Sequence, residues 1–395
     1  MYISKLSKDI EYMKILHLCF DGNFIEQSMS VFDHFYPKNC FWIVLELKGK
    51  NRVIKREGPH IIRALFEEPD SYLHTVSLLN RTEKFDKIVC HGFNKRYTEA
   101  IKLLKPDSNL KVYWLFWGYE LYRPLGKSGK KTLIDNGGFL NPLSYIMPTK
   151  ACEFLWAKIL GHESEEAVLK DFLNYADFFC FWFEEDYQLL QKYYHSKAEF
   201  RFFQYNAHWK NDSVVQIASE RFFNKEPRTI IINHQASTTG NHITLLKMLK
   251  SLSGIDNFEI TAPLSYGANT IRRYVSWKGK RLFGSKFHPV VNYMPLDSYN
   301  AMIGRMEVAL FGQLRQEAAG NISFYLANGT KVFMREDNTL FQYFKNAGYI
   351  IFSLEKDLNT IKDLSGLSIE DKRHNAELSA KRVSYYEDFM PTLLD

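Results

Sequence analysis

Several familiar features are missing from this sequence, and each absence narrows what the chain can be. No stretch of about eighteen or more apolar residues occurs along its 395 positions, so no membrane-spanning helix is expected. Cysteine is scarce: Cys19, Cys40, Cys90, Cys152 and Cys180 form no C-x-x-C pair and no even framework. A disulfide scaffold and a zinc site are both excluded by that spacing, and buried thiols in a reducing compartment are the simplest reading. Asp-x-Asp is absent, so the usual paired-carboxylate grip on a divalent ion has no signature here. Gly126-Lys127-Ser128 looks like the end of a Walker A loop, but the first glycine would fall at Leu121, and the motif fails. There is no large charge excess either. The net charge is +6, from 51 basic and 45 acidic side chains, too small and too dispersed for a nucleic-acid partner. Lys5, Lys8, Asp9 and Glu11 interrupt the start, so no leader is expected, and the chain reads as cytoplasmic.

What is present is aromatic and alternating. Aromatics make up 15 % of the chain, with 31 Phe and 23 Tyr; most read as core, the rest as stacking or amphipathic surface. The length exceeds one ordinary core and predicts two domains. Apolar runs at 13–19, 39–45, 87–90 and 111–117 read as buried strands, with a helix over 97–104. A second alternating block begins near 228. It has strands at 229–232, 258–262, 289–291, 308–311 and 331–334, and helices over 242–252, from Asp297, and over 321–328. Strands separated by helices imply parallel α/β sheets. The expected architecture is two Rossmann-like α/β domains facing a central cleft: residues 1–205, residues 206–365, and a helical tail over 366–395 packing back on the first domain. Residues 132–160, with Gly137, Gly138, Pro142 and Pro148, read either as a domain-packing helix or as a membrane-surface contact. Basic clusters at Arg272, Arg273, Lys278, Lys280 and Arg281, and at Lys127, Lys130 and Lys131, read as solvated faces or as contacts for anionic headgroups.

Candidate chemistry gathers where strands end. Phe311-Gly-Gln-Leu-Arg-Gln-Glu-Ala-Ala-Gly-Asn321 follows a strand and opens a helix that Gly329 terminates. A helix start at Gly320 and Asn321 offers free N–H groups and a favourable dipole to a phosphate, and Arg315 adds a bidentate counter-charge. The loop Asn233 to Asn241 follows the second block's first strand and is rich in short hydrogen-bonding groups; capping of the next helix is the alternative use. In Pro263-Leu-Ser-Tyr-Gly267 the tyrosine could stack on a base or simply fill a turn. In the first block, Glu120 follows a strand in Trp117-Gly-Tyr-Glu-Leu-Tyr122 and is a candidate general base. His91 and Asp21 stand at neighbouring strand ends, where a structural hydrogen bond is the commoner use.

The order of IIINHQASTTGNHITLLKML (Ile230 to Leu249), APLSYG (Ala262 to Gly267) and the segment Leu296 to Asp337 resembles the N-acetylfucosamine transferases of glycosyltransferase family 56. VYWLFWGYELY (Val112 to Tyr122) is similar to that family's Trp-Gly-x-Asp-Leu-Tyr segment, and CHGF at Cys90 to Phe93 also fits. The resemblance spans residues 85–345. It implies a GT-B fold, a TDP-sugar donor, no metal or other cofactor, and a polyprenyl-diphosphate-linked acceptor met peripherally at the cytoplasmic face of the membrane. It implies donor contacts from Asn233, Ser237, Asn241, His242, Ser265, Tyr266, Arg315, Gln316, Gly320 and Asn321, and acceptor-side roles for His91 and Glu120. Two residues depart from the pattern. Glu120 stands where the family has Asp, and Glu317 stands where it has Gln, which places Glu317 among the donor-site candidates near ribose or sugar hydroxyls. A non-catalytic nucleotide-sugar or glycan-binding module and a nucleotide-sugar epimerase are the alternative readings of the same architecture.

Overall fold

The computed structural model describes residues 13–105, 109–135, 164–211 and 223–395. Cys152 and, beyond Asp135, the stretch 132–160 expected to pack domains or meet lipid lie outside the described residues. The chain divides into two compact units. One holds the described residues up to Pro124, 164–211 and 384–395; the other holds 125–135 and 223–383.

The first unit is a seven-stranded parallel sheet. In chain order it comprises β1 (Ile15–Phe20), α1 (Ile25–Phe35), β2 (Cys40–Glu46), β3 (Ile61–Leu65), α2 (Pro69–Glu83), β4 (Lys87–His91), α3 (Lys95–Leu104) and β5 (Lys111–Leu115). There follow α4 (Tyr119–Lys127), inside which the unit division falls, then α5 (Glu165–Leu173), β6 (Phe178–Phe181), α6 (Glu184–Tyr194) and β7 (Glu199–Phe202). The strand order is β3-β2-β1-β4-β5-β6-β7. Helices cover both faces of such a sheet, so its central strands are apolar throughout rather than alternating. Leu18 lies opposite Cys90, and Cys90 opposite Trp114, in register across the middle. Cys19, Cys40, Cys90 and Cys180 are buried free thiols. Asn94 starts α3 by accepting from the Arg96 and Tyr97 amides, a cap worth about 1 kcal/mol.

The second unit is a six-stranded parallel sheet. It runs β8 (Glu226–Ile232), α7 (His242–Ser251), β9 (Glu259–Pro263), α8 (Asn269–Phe283), β10 (Phe287–Val290), α9 (Leu296–Gly304), β11 (Met306–Phe311), α10 (Ala319–Ala327), β12 (Lys331–Met334), α11 (Thr339–Asn346) and β13 (Phe352–Ser353), then α12 (Ile369–Lys381). Strand order is β10-β9-β8-β11-β12-β13. Gly329, at φ +71°, ends α10; the Thr330 amide bonds back to the Tyr325 carbonyl and closes the turn. Ile243, Leu246 and Leu249 on α7 bury their helical stripe against Ile230, Ile232 and Leu310 of the sheet.

Where the sequence predicts one tail over 366–395, the chain divides. Helix α12 belongs to the second unit, while α13 (Tyr386–Phe389) and the residues after it belong to the first. Tyr386, Phe389, Met390 and Leu393 join the first unit's core beside Phe203 and Ala207. Lys131 also differs from its expected solvated face: its ammonium is buried and bonds the Asp337 carbonyl and carboxylate, each at 2.8 Å.

Candidate functional site

In each sheet the chain works outward from the first strand in one direction, then returns and builds on its other side. The reversal falls between β8 and β11 in the second unit and between β1 and β4 in the first. Open parallel sheets take ligands at the carboxyl ends of the strands beside that reversal.

In the second unit the switch point is stitched by two asparagines. Asn233, just past β8, accepts from the Gly312 amide at 3.0 Å and donates to the Gly240 carbonyl at 2.8 Å. Asn241 donates to the Gly312 carbonyl at 2.9 Å and the Leu133 carbonyl at 3.2 Å, and accepts from the Asp135 amide at 2.9 Å. Both asparagines are buried and left-handed, at φ +55° and +49°. Asn is among the few residues that tolerate this conformation, because its short side chain bonds locally. Gly312 is required by proximity: a Cβ there would stand 2.4 Å from the Gly240 carbonyl. The β9 loop is tied in as well, since the Ala236 amide donates to the Tyr266 carbonyl and the Ala268 amide to Ala236, both at 2.8 Å. Ser265 carries its loop's turn with Arg272 bonding its carbonyl, and the Tyr266 ring is 71 % exposed at this edge.

Glu317 is the electrostatic centre of this edge. Gln235 donates to one carboxylate oxygen, and Thr239 to the other at 2.8 Å. Arg315 Nε lies 3.2 Å from the second oxygen and His234 Nε2 3.9 Å from the first. Burial alone would raise the Glu317 carboxyl; Arg315, then His234 and the two hydrogen bonds, outweigh it and hold the group below the usual carboxylate value. Burial pushes the His234 imidazole down. The Arg315–Glu317 pair leaves the two terminal nitrogens of Arg315 without a partner among the described residues. Next to it Ala318 is left-handed at φ +69°, and α10 starts at Ala319 with no side-chain cap. Its first internal bond is from Ile322 to the Ala318 carbonyl, so the Ala319, Gly320 and Asn321 amides stand open. Gly320 is exposed, with no atom within 4 Å of where a Cβ would sit. Asn321 is anchored by the Tyr299 hydroxyl at 3.1 Å, and Gln316 lies half-buried between Arg315 and Glu317. His242, at the first position of α7, is fully buried with neither ring nitrogen in a formed hydrogen bond. Burial, then His234, lowers it to about 4, although the nearby carbonyls of Ser237 and Gln235 favour its charged form.

The first unit's candidates separate sharply. Asp21 accepts from the Val53 amide at 2.8 Å and the Ile54 amide at 2.7 Å, so its carboxylate clamps the loop after β2. His91 is buried, with Tyr205 Oη on Nδ1 and His17 Nδ1 on Nε2, both at 3.2 Å; burial lowers it to about 3. Glu120 is only 3 % exposed. Its Oε1 accepts from the Trp117 amide at 3.2 Å and its Oε2 has no formed bond. Burial raises it to about 8, although the surrounding amides and the nearby Trp114 indole favour the carboxylate. Gly92, at φ +74°, leaves room for it: a Cβ there would meet Glu120 Oε1 at 3.1 Å.

No family model matches the chain, and no curated protein matches it in sequence. Solved structures do match over its full length. A sucrose-phosphate synthase from Thermosynechococcus elongatus aligns with 95 % of this chain and 96 % of its own, at 10 % identity and TM-score 0.61. A UDP-forming trehalose-phosphate synthase from Burkholderia xenovorans covers 97 % and 98 %, at 9 % identity and TM-score 0.58. A glycosyltransferase from Rickettsia africae covers 96 % and 99 %, at 12 % identity and TM-score 0.53. The fold is GT-B.

Within this GT-B chain, the second unit brings Asn233, Asn241, Ser237, Glu317, Arg315 and the start of α10 to one sheet edge. Ser265 and Tyr266 join that edge through the Ala236 backbone bonds. Each Glu317 oxygen accepts from one protein donor, Gln235 or Thr239, which leaves further acceptor capacity on the carboxylate. Sequence reasoning did not single out Gln235 or His234, which serve Glu317, or Asn338. Asn338 pins the Gln313 and Arg315 carbonyls at 3.0 and 2.7 Å while its Oδ1 caps α11. An Asn just before an apolar helical run was the available signal for that cap. His17 and Tyr205 in the first unit were missed too.

Proposed function

We propose that this protein is a nucleotide-sugar-dependent glycosyltransferase whose second unit holds the donor diphosphate. The observation that carries this reading is Arg315. Its terminal nitrogens are unpaired among the described residues, it sits beside an uncapped helix start at Ala319, and both lie at the switch point of a GT-B domain. In the reaction the bond from the anomeric carbon to the diphosphate oxygen breaks through an oxocarbenium-like state. The Arg315 guanidinium and the Ala319–Asn321 amides take up the charge released on the leaving group, without a metal ion. Glu120 accepts the proton of the attacking hydroxyl. Tyr266, with its ring in solvent, is suited to stack on the base. The family 56 resemblance supports the finer reading: a TDP-linked 6-deoxy amino sugar such as N-acetylfucosamine, moved to a lipid-linked saccharide by an enzyme peripheral to the inner membrane.

A thermal-shift panel of TDP, UDP, GDP and their sugars tests the donor site, because a ligand that binds only the folded state raises its melting temperature. One nucleoside diphosphate should shift it by several degrees, and Arg315→Ala should remove most of the shift. No response to any member of the panel would refute the reading.

A further inference from the structure

A buried chain of hydrogen bonds runs behind Glu120. Trp117 Nε1 donates to Tyr205 Oη at 2.6 Å. Tyr205 Oη lies 3.2 Å from His91 Nδ1, and His91 Nε2 lies 3.2 Å from His17 Nδ1. An indole N–H can only donate, so the Tyr205 oxygen accepts from Trp117, which leaves the Tyr205 proton available to His91 Nδ1. Burial keeps both imidazoles neutral. With Tyr205 donating to Nδ1, His91 carries its proton on Nε2 and gives it to His17 Nδ1, and His17 carries its own on Nε2. The His17 ring is held by Trp42, stacked at 3.8 Å and 12°, and its Nε2 is buried without a partner. The chain thus has one direction, and its working end is Trp117. The backbone N–H of that same residue donates to Glu120 Oε1 at 3.2 Å.

We propose that Tyr205, backed by His91 and His17, is a positioning residue that fixes Trp117 and, through the Trp117 amide, the carboxylate of Glu120. This rests on Glu120 as the base. Tyr205 ties the end of β4, through His91, to the turn after β5, through Trp117, from its own place just beyond β7. With the hydroxyl gone the indole loses its anchor, the turn loosens and the amide donates less well to the carboxylate. A carboxylate that loses a donor is harder to ionise. The groups facing Glu120 are Tyr119 on its own helix, Tyr205, the Trp114 indole, and the Trp117 and Gly118 amides. Arg123 is engaged with Glu165 at 2.8 Å.

The test is the pH profile of donor hydrolysis, with water standing in for the acceptor and the sugar nucleotide with the largest thermal shift as probe. Wild type should show a rate that rises through an inflection near pH 8, and Glu120→Gln should abolish that inflection. Tyr205→Phe keeps the ring and loses only the hydroxyl. It should retain the inflection but move it up by about one unit, lowering kcat at pH 7 about tenfold at unchanged donor KM. Trp117→Phe, which removes the donor of the same bond, should give the same shift. An inflection that survives in Glu120→Gln defeats the base assignment. One that vanishes in Glu120→Gln but stays in place in Tyr205→Phe and Trp117→Phe defeats the positioning proposal alone. Nitrogen-15 spectra of the imidazoles supply a readout free of catalysis: His91 protonated on Nδ1 in wild type would overturn the chain itself.

Discussion

At the scale of single residues, two carboxylates that look alike in the sequence have opposite environments. Glu120 is buried with no cation beside it among the described residues and is raised to about 8, so only about a tenth of it is ionised at pH 7. As a base it works when deprotonated, so activity should climb from pH 6, reach half its maximum near pH 8 and level off above about pH 9. Glu120→Gln preserves the shape of the neutral form that dominates at pH 7, and should fold like wild type while losing at least a hundredfold in kcat. A variant with normal turnover would remove Glu120 from the mechanism. Glu317 is equally buried but stays charged because Arg315 faces it. That pairing costs the donor site part of its positive charge. Arg315→Ala should weaken nucleoside diphosphate binding by about 1.5–3 kcal/mol, the worth of a charge-assisted contact. Glu317→Gln should strengthen it several-fold, since Gln keeps an acceptor for Thr239 but no longer neutralises Arg315. Titration calorimetry on the two variants separates these signs, and weaker binding in Glu317→Gln would show that order at this edge matters more than charge. Asp21 shows why residue type at a strand end is a poor guide by itself. The amides that occupy it come from Val53 and Ile54, more than thirty positions away, and only the folded chain brings them there.

At the scale of elements, most interior strands were legible, although the buried, apolar β6 was passed over, and of the edge strands only β10 was read, at 289–291. β1, β2, β4, β5, β9, β11 and the second half of β8, from Thr229, are largely buried on both faces, and their apolar runs announce them. β3 carries Arg63, whose guanidinium is satisfied by Glu46 at 2.6 Å and by the Ile54 carbonyl at 3.0 Å; this polar, half-buried edge has no sharp period. β7, Glu-Phe-Arg-Phe, lies at the other edge and is equally mixed. The end of α10 was readable from Gly329. The donor-side loops were legible as polar strand-end loops, but the stitching through Asn233, Asn241 and Gly312 was not, because it depends on β8 and β11 being neighbours. That stitching makes a sharp prediction. Gly312→Ala puts a methyl 2.4 Å from the backbone carbonyl of Gly240, which has no flexible side chain to move aside. Overpacking of this kind costs about 1–3 kcal/mol. The variant should melt several degrees lower and lose its nucleotide-induced shift, while Gly320→Ala, with open space around it, should melt like wild type.

At the scale of the whole molecule, both units carry buried neutral histidines, and their linkage to pH has one sign. His17 and His91 in the first unit and His234 and His242 in the second are all depressed by burial, His91 to about 3 and His242 to about 4. Below about pH 6.5 the unfolded chain takes up protons that the folded chain refuses. The stability these groups contribute is therefore complete above about 6.5 and is lost as the pH falls toward the folded values. Glu120 runs the other way. Its folded value, about 8, lies above its ordinary 4.5, so its contribution is complete below 4.5 and is lost as the pH rises to 8. Between 4.5 and 6.5 four histidines oppose one glutamate, and stability should rise with pH; between 6.5 and 8 only Glu120 titrates of the five, and its own share declines. Lys225, which burial lowers to about 7, gains stability as the pH rises above 7 and offsets Glu120, so melting temperature should climb a steep acid limb to about 6.5 and then follow a nearly flat alkaline limb to pH 8. Glu120→Gln isolates its own share, because it should steepen the acid limb between 4.5 and 6.5 and turn the alkaline limb upward. A melting profile from pH 4 to pH 9 on both proteins decides this. If the alkaline limb of the variant overlays that of wild type, the Glu120 carboxyl is not held protonated by burial, and the rise in activity between pH 6 and 8 must be sought in another group.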